Sequence, residues 1–247
     1  MNEKQQYLFG MHPVLEAVKA GKKFDKVMLK KGLEGPQFRE LLTLLQNNEI
    51  SYQFVPVERL DRVVRGSHQG VIAFISNIEY ANLEEMVERA LASSPNPILV
   101  LLDGVSDVRN LGAIARTLEC AGGKGIIVPA KGGAAVNAEA VKASAGALMR
   151  LDCCRVPNLR FAAFYLQQSG FRIVASTEKT NRLMYDANLK GPIAIVMGSE
   201  GKGISDSLLK LADEKVAVPM AGEISSLNVS AAAAVVIYEA VRQQLIG

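Results

Sequence analysis

The sequence is poor in the residues that build metal and redox centres. Its 247 residues hold three cysteines and two histidines. Cys153 and Cys154 are adjacent, which suits neither a metal clamp nor a disulfide framework. No metal site is expected, and this cysteine usage suits a reducing, cytoplasmic setting. No apolar run approaches the roughly 20 residues needed to span a bilayer. Residues 1–6 are polar rather than leader-like, so a soluble, untargeted protein is expected. Net charge is only +3, so nucleic-acid binding has to be argued from where the basic residues lie.

Two familiar nucleotide motifs are also missing. Gly201-Lys202 lacks a glycine five residues earlier, where Val196 sits, and Gly203 follows the lysine, so no Walker A loop is present. No G-x-G-x-x-G follows the first strand of the second half, which argues against a Rossmann dinucleotide site. What the chain does have is core material: 49% of residues are hydrophobic and 21% charged, a globular balance long enough for two modest domains.

Residues 7–75 alternate in period. A helix is expected after His12, a strand at 26–29, a helix at 36–47, and strands near Tyr52 and Val71, making a small α/β unit. Lysines crowd this part, with Lys22 and Lys23 among them, and form either a phosphate-contacting segment or a solvated face. A helix-like stretch at 83–92 and a loop at 93–97 follow. Beyond them, apolar runs at 98–102, 125–128, 173–175, 193–197 and 216–218 alternate with helical segments. Such runs predict a parallel sheet covered on both faces, closed by a last helix over 229–246. The expected layout is a small α/β domain over 1–75, a linker over 76–96 and a larger parallel-sheet domain over 97–247.

Three clusters rich in Gly, Asn, Ser and charge stand at the carboxyl ends of expected strands, where open α/β sheets place ligands. They are 103–117, 197–205 and 218–230. Each alone has a structural reading: Asp107 or Asn110 can cap a helix, and the glycines can supply turns. All three at consecutive strand ends favour a site on a rigid scaffold.

Together these clusters resemble the three signature motifs of the SpoU (TrmH-type) RNA 2′-O-methyltransferases. Asn110, Gly112, Ala113, Arg116 and Thr117 match the first, Met197-Gly-Ser-Glu-Gly201 the second, and Ser226-Leu-Asn-Val-Ser230 the third. Phe9-Gly10-x-His12-x-Val14 and residues 68–73 resemble the family's small ribosomal-protein-like RNA-binding domain. The resemblance covers nearly the whole chain, departing from the common pattern at Val108 and Arg109.

It implies a trefoil-knotted SPOUT domain that binds S-adenosyl-L-methionine (SAM), and a homodimer formed through that domain. It implies methyl transfer to ribosomal RNA, with a guanosine of 23S rRNA as the favoured target. SAM would rest on Gly198, Val218 and Leu227, with Ser176 or Thr177 and Met220 near the adenine. Asn110, Arg116, Glu200, Ser226 and Asn228 would surround the target ribose. Glu200 either orients Arg116 or a lysine, or pairs with Lys202. Asn110 and Asn228 either hold a ribose hydroxyl or cap helices. Ser226 donates to the ribose or to SAM. His12, Lys22, Lys23, Arg65 and His68 are the candidate RNA contacts of the first domain. Gly198 and Gly201 are expected to lack side chains so that the cofactor can approach the backbone. Residues 231–234, all alanine, suit close helix packing across a dimer or burial within one subunit.

Overall fold

Two sheets organise the chain, in a computed structural model that describes residues 7–48, 50–75, 79–224 and 226–246. Each sheet anchors its own compact unit: one spans 7–79 with residues 135–138, and the other takes the rest.

The first unit holds β1 (Tyr7–Phe9), α1 (Met11–Lys19), β2 (Phe24–Lys30), α2 (Pro36–Asn47), β3 (Tyr52–Val55), α3 (Val57–Asp61) and β4 (Val71–Ile75). Its strands lie in the order β1-β4-β2-β3, with β4 antiparallel to β1 and β2, and β2 parallel to β3. Alternation decides the two faces. Phe24, Val27, Leu29, Val71 and Ala73 pack under Val14, Leu15 and Val18 of α1 and Leu41 and Leu45 of α2. Met28, Val55, Ile72 and Phe74 face the other way, toward Leu60 of α3 and Val64.

The second unit adds α4 (Leu83–Ser93), β5 (Ile98–Asp103), α5 (Val108–Cys120), β6 (Gly125–Pro129), α6 (Ala138–Ala143), β7 (Asp152–Val156), α7 (Leu159–Gln168), β8 (Arg172–Ser176), β9 (Ile193–Gly198), α8 (Asp206–Leu209), β10 (Glu214–Val216) and α9 (Val229–Ile246). Six strands run parallel in the order β10-β8-β9-β5-β6-β7. Helices α4, α7 and α8 bury Met86, Val87, Ala162, Ala163, Leu166 and Leu208 against Leu99, Leu101, Ala194 and Val196. On the opposite side α9 packs against β8, β9 and α5. Central strands such as β5 are therefore apolar on both faces, and each fully buried leucine in them contributes about 1.5–3 kcal/mol.

Four features differ from the sequence reading. The segment expected as a linker, 76–96, holds α4, whose Leu83, Met86, Val87 and Ala90 belong to the second unit's core; residues 76–78 lie outside the described residues. Strand β7 carries Cys153 and Cys154, both buried, and desolvation pushes each thiol up to about 12. Strand β1 was not expected at all. Strand β10 ends at Val216, because Ala217 leaves the sheet edge to bond the 182–184 segment instead: Ala217 N–H donates to Arg182 O at 2.8 Å and Met184 N–H donates to Ala217 O at 3.0 Å.

Among the described residues no helix is long and apolar enough to cross a membrane, and no group of three or more His, Cys, Asp or Glu is placed to hold a metal ion.

Candidate active site

The order of the parallel strands reverses direction beside β5, with β6 and β7 laid to one side and β9, β8 and β10 to the other. The carboxyl ends at such a reversal diverge and leave a crevice. A cavity of about 570 Å³ opens to one side of that reversal, at the carboxyl ends of β8, β9 and β10, within the usual size of a small-molecule site. It is walled by the loops after β8, β9 and β10 and by the start of α9. Ser176, Thr177, Gly198, Val218, Met220 and Leu227 all line it, together with Glu200, Ser226 and Asn228. Ser226 contributes to the wall without a hydrogen bond to any described residue.

The loop after β9 is a tight turn. Ser199 and Gly203 exchange backbone hydrogen bonds, with Ser199 N–H to Gly203 O at 3.2 Å and Gly203 N–H to Ser199 O at 2.9 Å. Residues 200–202 form its tip. Ser205 N–H donates to Asp103 Oδ2 at 2.7 Å and ties this loop to the end of β5. A side chain on Gly198 would run into the backbone of Gly203 and Ile204. Glycine here therefore lets the turn fold back on its own strand, a demand of the fold itself beside the one expected from a cofactor. Gly201 has open space around it but sits at φ 85°, where a Cβ is strained.

The turn presents Glu200 to two asparagines. Asn110 Nδ2 donates to Glu200 Oε1 at 3.0 Å, and Asn228 Nδ2 donates to the same oxygen at 2.8 Å. Asn228 Nδ2 also donates to Asn110 Oδ1 at 3.1 Å. Glu200 makes no pair with Lys202 or Arg116; its partners are amide donors from α5 and the α9 start. Helix α5 is capped by Asp107, which accepts Arg109 N–H at 2.8 Å, and this frees Asn110 for the cluster. Of the two alternatives for Asn228, the cap is present: its Oδ1 accepts Ser230 N–H at 2.9 Å and Ser230 Oγ–H at 2.6 Å at the head of α9, while its amide nitrogen serves the cluster.

Arg116 stands apart. It is exposed on α5, does not line the cavity, and pairs with no described residue. Met197, Ser199 and Val229 of the motifs line the cavity too, and so do Glu178, Gly203 and Ala232, to which no site role was assigned. Nearness to the motifs was the only sequence signal for these last three.

In the first unit His12, Lys22, Lys23 and Arg65 are exposed. His68 is not. Its buried ring accepts Gly70 N–H at Nδ1, 3.0 Å, and therefore donates from Nε2 to Asp61 Oδ1 at 2.9 Å. Both nitrogens serve the turn into β4, which removes His68 from the candidate RNA contacts.

A parallel sheet with a glycine-turned crevice and an amide–carboxylate cluster beside it, together with the matches that follow, places the chain among SPOUT-type RNA methyltransferases. Residues 97–238 match the SpoU rRNA Methylase family, and residues 7–81 match the family described as RNA 2′-O ribose methyltransferase substrate binding. The chain belongs to the SpoU methylase family. It is 33% identical over 247 residues to the TrmH family tRNA/rRNA methyltransferase YacO of Bacillus subtilis, covering 99% of this chain and 98% of that one. Among solved structures, the SpoU methyltransferase AviRb from Streptomyces viridochromogenes, crystallised with AdoMet, superposes with TM-score 0.63 at 25% identity, covering 98% of this chain and 91% of AviRb. An RNA 2′-O ribose methyltransferase superposes with TM-score 0.57 at 26% identity, covering 97% and 88% of the two chains.

Proposed function

We propose that this RNA methyltransferase uses SAM to methylate a ribose 2′-hydroxyl of ribosomal RNA, with a guanosine of 23S rRNA as its target. One observation carries the reading: a single cavity gathers all six residues expected for SAM and adjoins the Asn110–Glu200–Asn228 cluster. The cavity's fit is supported by its size, its backbone-rich glycine turns, and an AdoMet-bound relative of the same fold.

Bound SAM supplies an activated methyl group on a positive sulfur. The protein's task is to hold a 2′-hydroxyl in line with it and to ease the loss of a weakly acidic proton. Glu200 Oε1 is taken by two amides, and its Oε2 receives no bond from a described residue, so that oxygen is left to accept from the ribose. The amides fix the carboxylate without neutralising it. Ser226, on the cavity wall, donates to the ribose or to the cofactor. Arg116, exposed and unpaired, binds the neighbouring phosphate and stabilises the developing alkoxide. A guanidinium keeps its protons, so a phosphate oxygen or water takes the hydroxyl proton.

Because Arg116 stands outside the cavity of its own subunit, a homodimer that brings substrate over it completes this reading. His12, Lys22, Lys23 and Arg65 contact RNA phosphates from the substrate-binding unit. The work takes place in the cytoplasm, where ribosomal RNA is made and assembled.

The test is methyl transfer from labelled SAM to unmodified large-subunit RNA, with the product nucleotide mapped and its 3′ linkage challenged with alkali. Resistance at one guanosine is expected. Incorporation into transfer RNA alone would redirect the substrate while keeping the chemistry.

A further inference from the structure

The sixteen described residues that line the cavity include two ionisable side chains, Glu178 and Glu200, and no lysine, arginine or histidine. Neither carboxylate forms an ion pair with a described residue. Lys179 and Lys202 are their neighbours in sequence, but both are exposed, neither lines the cavity, and neither pairs with a described residue. The two acids are not equivalent. Glu200 has two amide donors on one oxygen and is held in the cluster with Asn110 and Asn228. Glu178 accepts no hydrogen bond from a described residue. It follows Thr177 directly after β8, and its Oε1 reaches toward Gly203, 3.7 Å from where a Cβ would stand there. It thus spans from the β8 loop toward the turn after β9, two walls of the same cavity.

We propose that Glu178 is a specificity residue that makes the cavity prefer the sulfonium form of its ligand over the neutral thioether left after transfer. This rests on the assignment of the cavity to SAM. SAM and its product S-adenosylhomocysteine (SAH) share the adenosine, the ammonium and the carboxylate, and differ in the methyl group and the charge on sulfur. The head of α9, lining the cavity through Asn228, Val229 and Ala232, carries positive partial charge that suits the carboxylate of either ligand. A negative group without a cationic partner distinguishes the two sulfurs by charge, even one that is exposed, as Glu178 is. Glu178 provides one, and its loss of attraction when sulfur becomes neutral helps the product leave.

The experiment is calorimetric titration of the full chain with SAM and with SAH, for wild type and Glu178→Gln, at low and at raised salt. Wild type is expected to bind SAM about tenfold more tightly than SAH, with the preference shrinking as salt rises. Glu178→Gln should bring the two within about twofold by weakening SAM alone, since a change that leaves shape intact removes a charge term only for the charged ligand. Unchanged SAH affinity then also reports that the variant is folded. If wild type binds both equally, or the variant weakens both by one factor, the proposal is overturned while the cofactor assignment stands. If wild type binds neither, the assignment itself falls, and the proposal with it.

Discussion

Asn228 Nδ2 stands 2.8 Å from Glu200 Oε1 while Asn228 Oδ1 caps the helix that follows it. One amide thereby joins the Asn110–Glu200 cluster to the fold of α9, and its two ends respond to different substitutions. Asn228→Asp retains a capping oxygen but replaces the amide donor with a second negative charge facing Glu200. Stability should fall by about 1 kcal/mol or less, whereas methylation should fall at least about a hundredfold. Asn228→Ala loses both functions, with about 1 kcal/mol of stability lost as well. Thermal melts and single-turnover assays on the two variants separate the roles.

Gly198→Ala is expected to damage the ligand cavity more than its size suggests. The added methyl meets the backbone of Gly203 and Ile204, so the turn carrying Glu200 must open. SAM affinity should drop by at least about tenfold, and stability by about 1–3 kcal/mol, the usual range for overpacking. Titration calorimetry would expose the error in this picture if SAM bound the variant as wild type.

Arg116→Ala should leave SAM affinity within about twofold of wild type, because the side chain is outside the cavity, while turnover falls by at least about a hundredfold. Wild-type turnover with normal SAM binding would remove Arg116 from the mechanism.

His68→Ala and a combined Lys22→Ala, Lys23→Ala variant should part company. The buried histidine holds Gly70 N–H and Asp61, so its loss should lower stability by about 1–3 kcal/mol. The paired lysines are exposed, so their loss should leave the melt unchanged and weaken RNA binding, with a shallower salt dependence. Filter binding at two salt concentrations reads the second effect.

Glu239 is buried on α9, and both its oxygens receive Arg242 at 2.8 Å while Gln243 donates to one of them at 2.8 Å. Hydrogen bonding to Arg242 holds its carboxyl below the ordinary value of 4.5. A depressed folded value means the unfolded chain takes up the proton first as pH falls. The contribution is thus fully present above the ordinary value and lost as pH drops through the folded one. Glu239→Gln should flatten the acid limb of stability in that window, measured by denaturant melts between neutral pH and about pH 3.

The parts of the fold readable in the sequence were those set by period and burial. The runs at 98–102 and 193–197 are apolar at every position because helices cover both sides of the sheet, and α2 and α9 show their full extent. Strand β7 escaped because Asp152 and Arg155 break its pattern and a cysteine pair carries no strand signal of its own. Strand β1 is three residues, Tyr7–Phe9, too short for alternation to register. At the site, spacing alone could not bring together Asn110, Glu200 and Asn228, which are 90 and 28 residues apart in turn. The resemblance to a known family supplied that grouping. The inward turn of His68 depends on a bond to Gly70, whose positive φ of 81° no local pattern announces.

Gln243 ties the end of the chain to its middle: its side chain accepts Leu189 N–H at 2.9 Å and donates to Ala187 O at 3.1 Å. The helix whose first turn lines the ligand cavity is thus fastened, about four turns away, to the segment between β8 and β9. A loosened grip at Gln243 would reach the cavity along α9 without touching any residue that lines it.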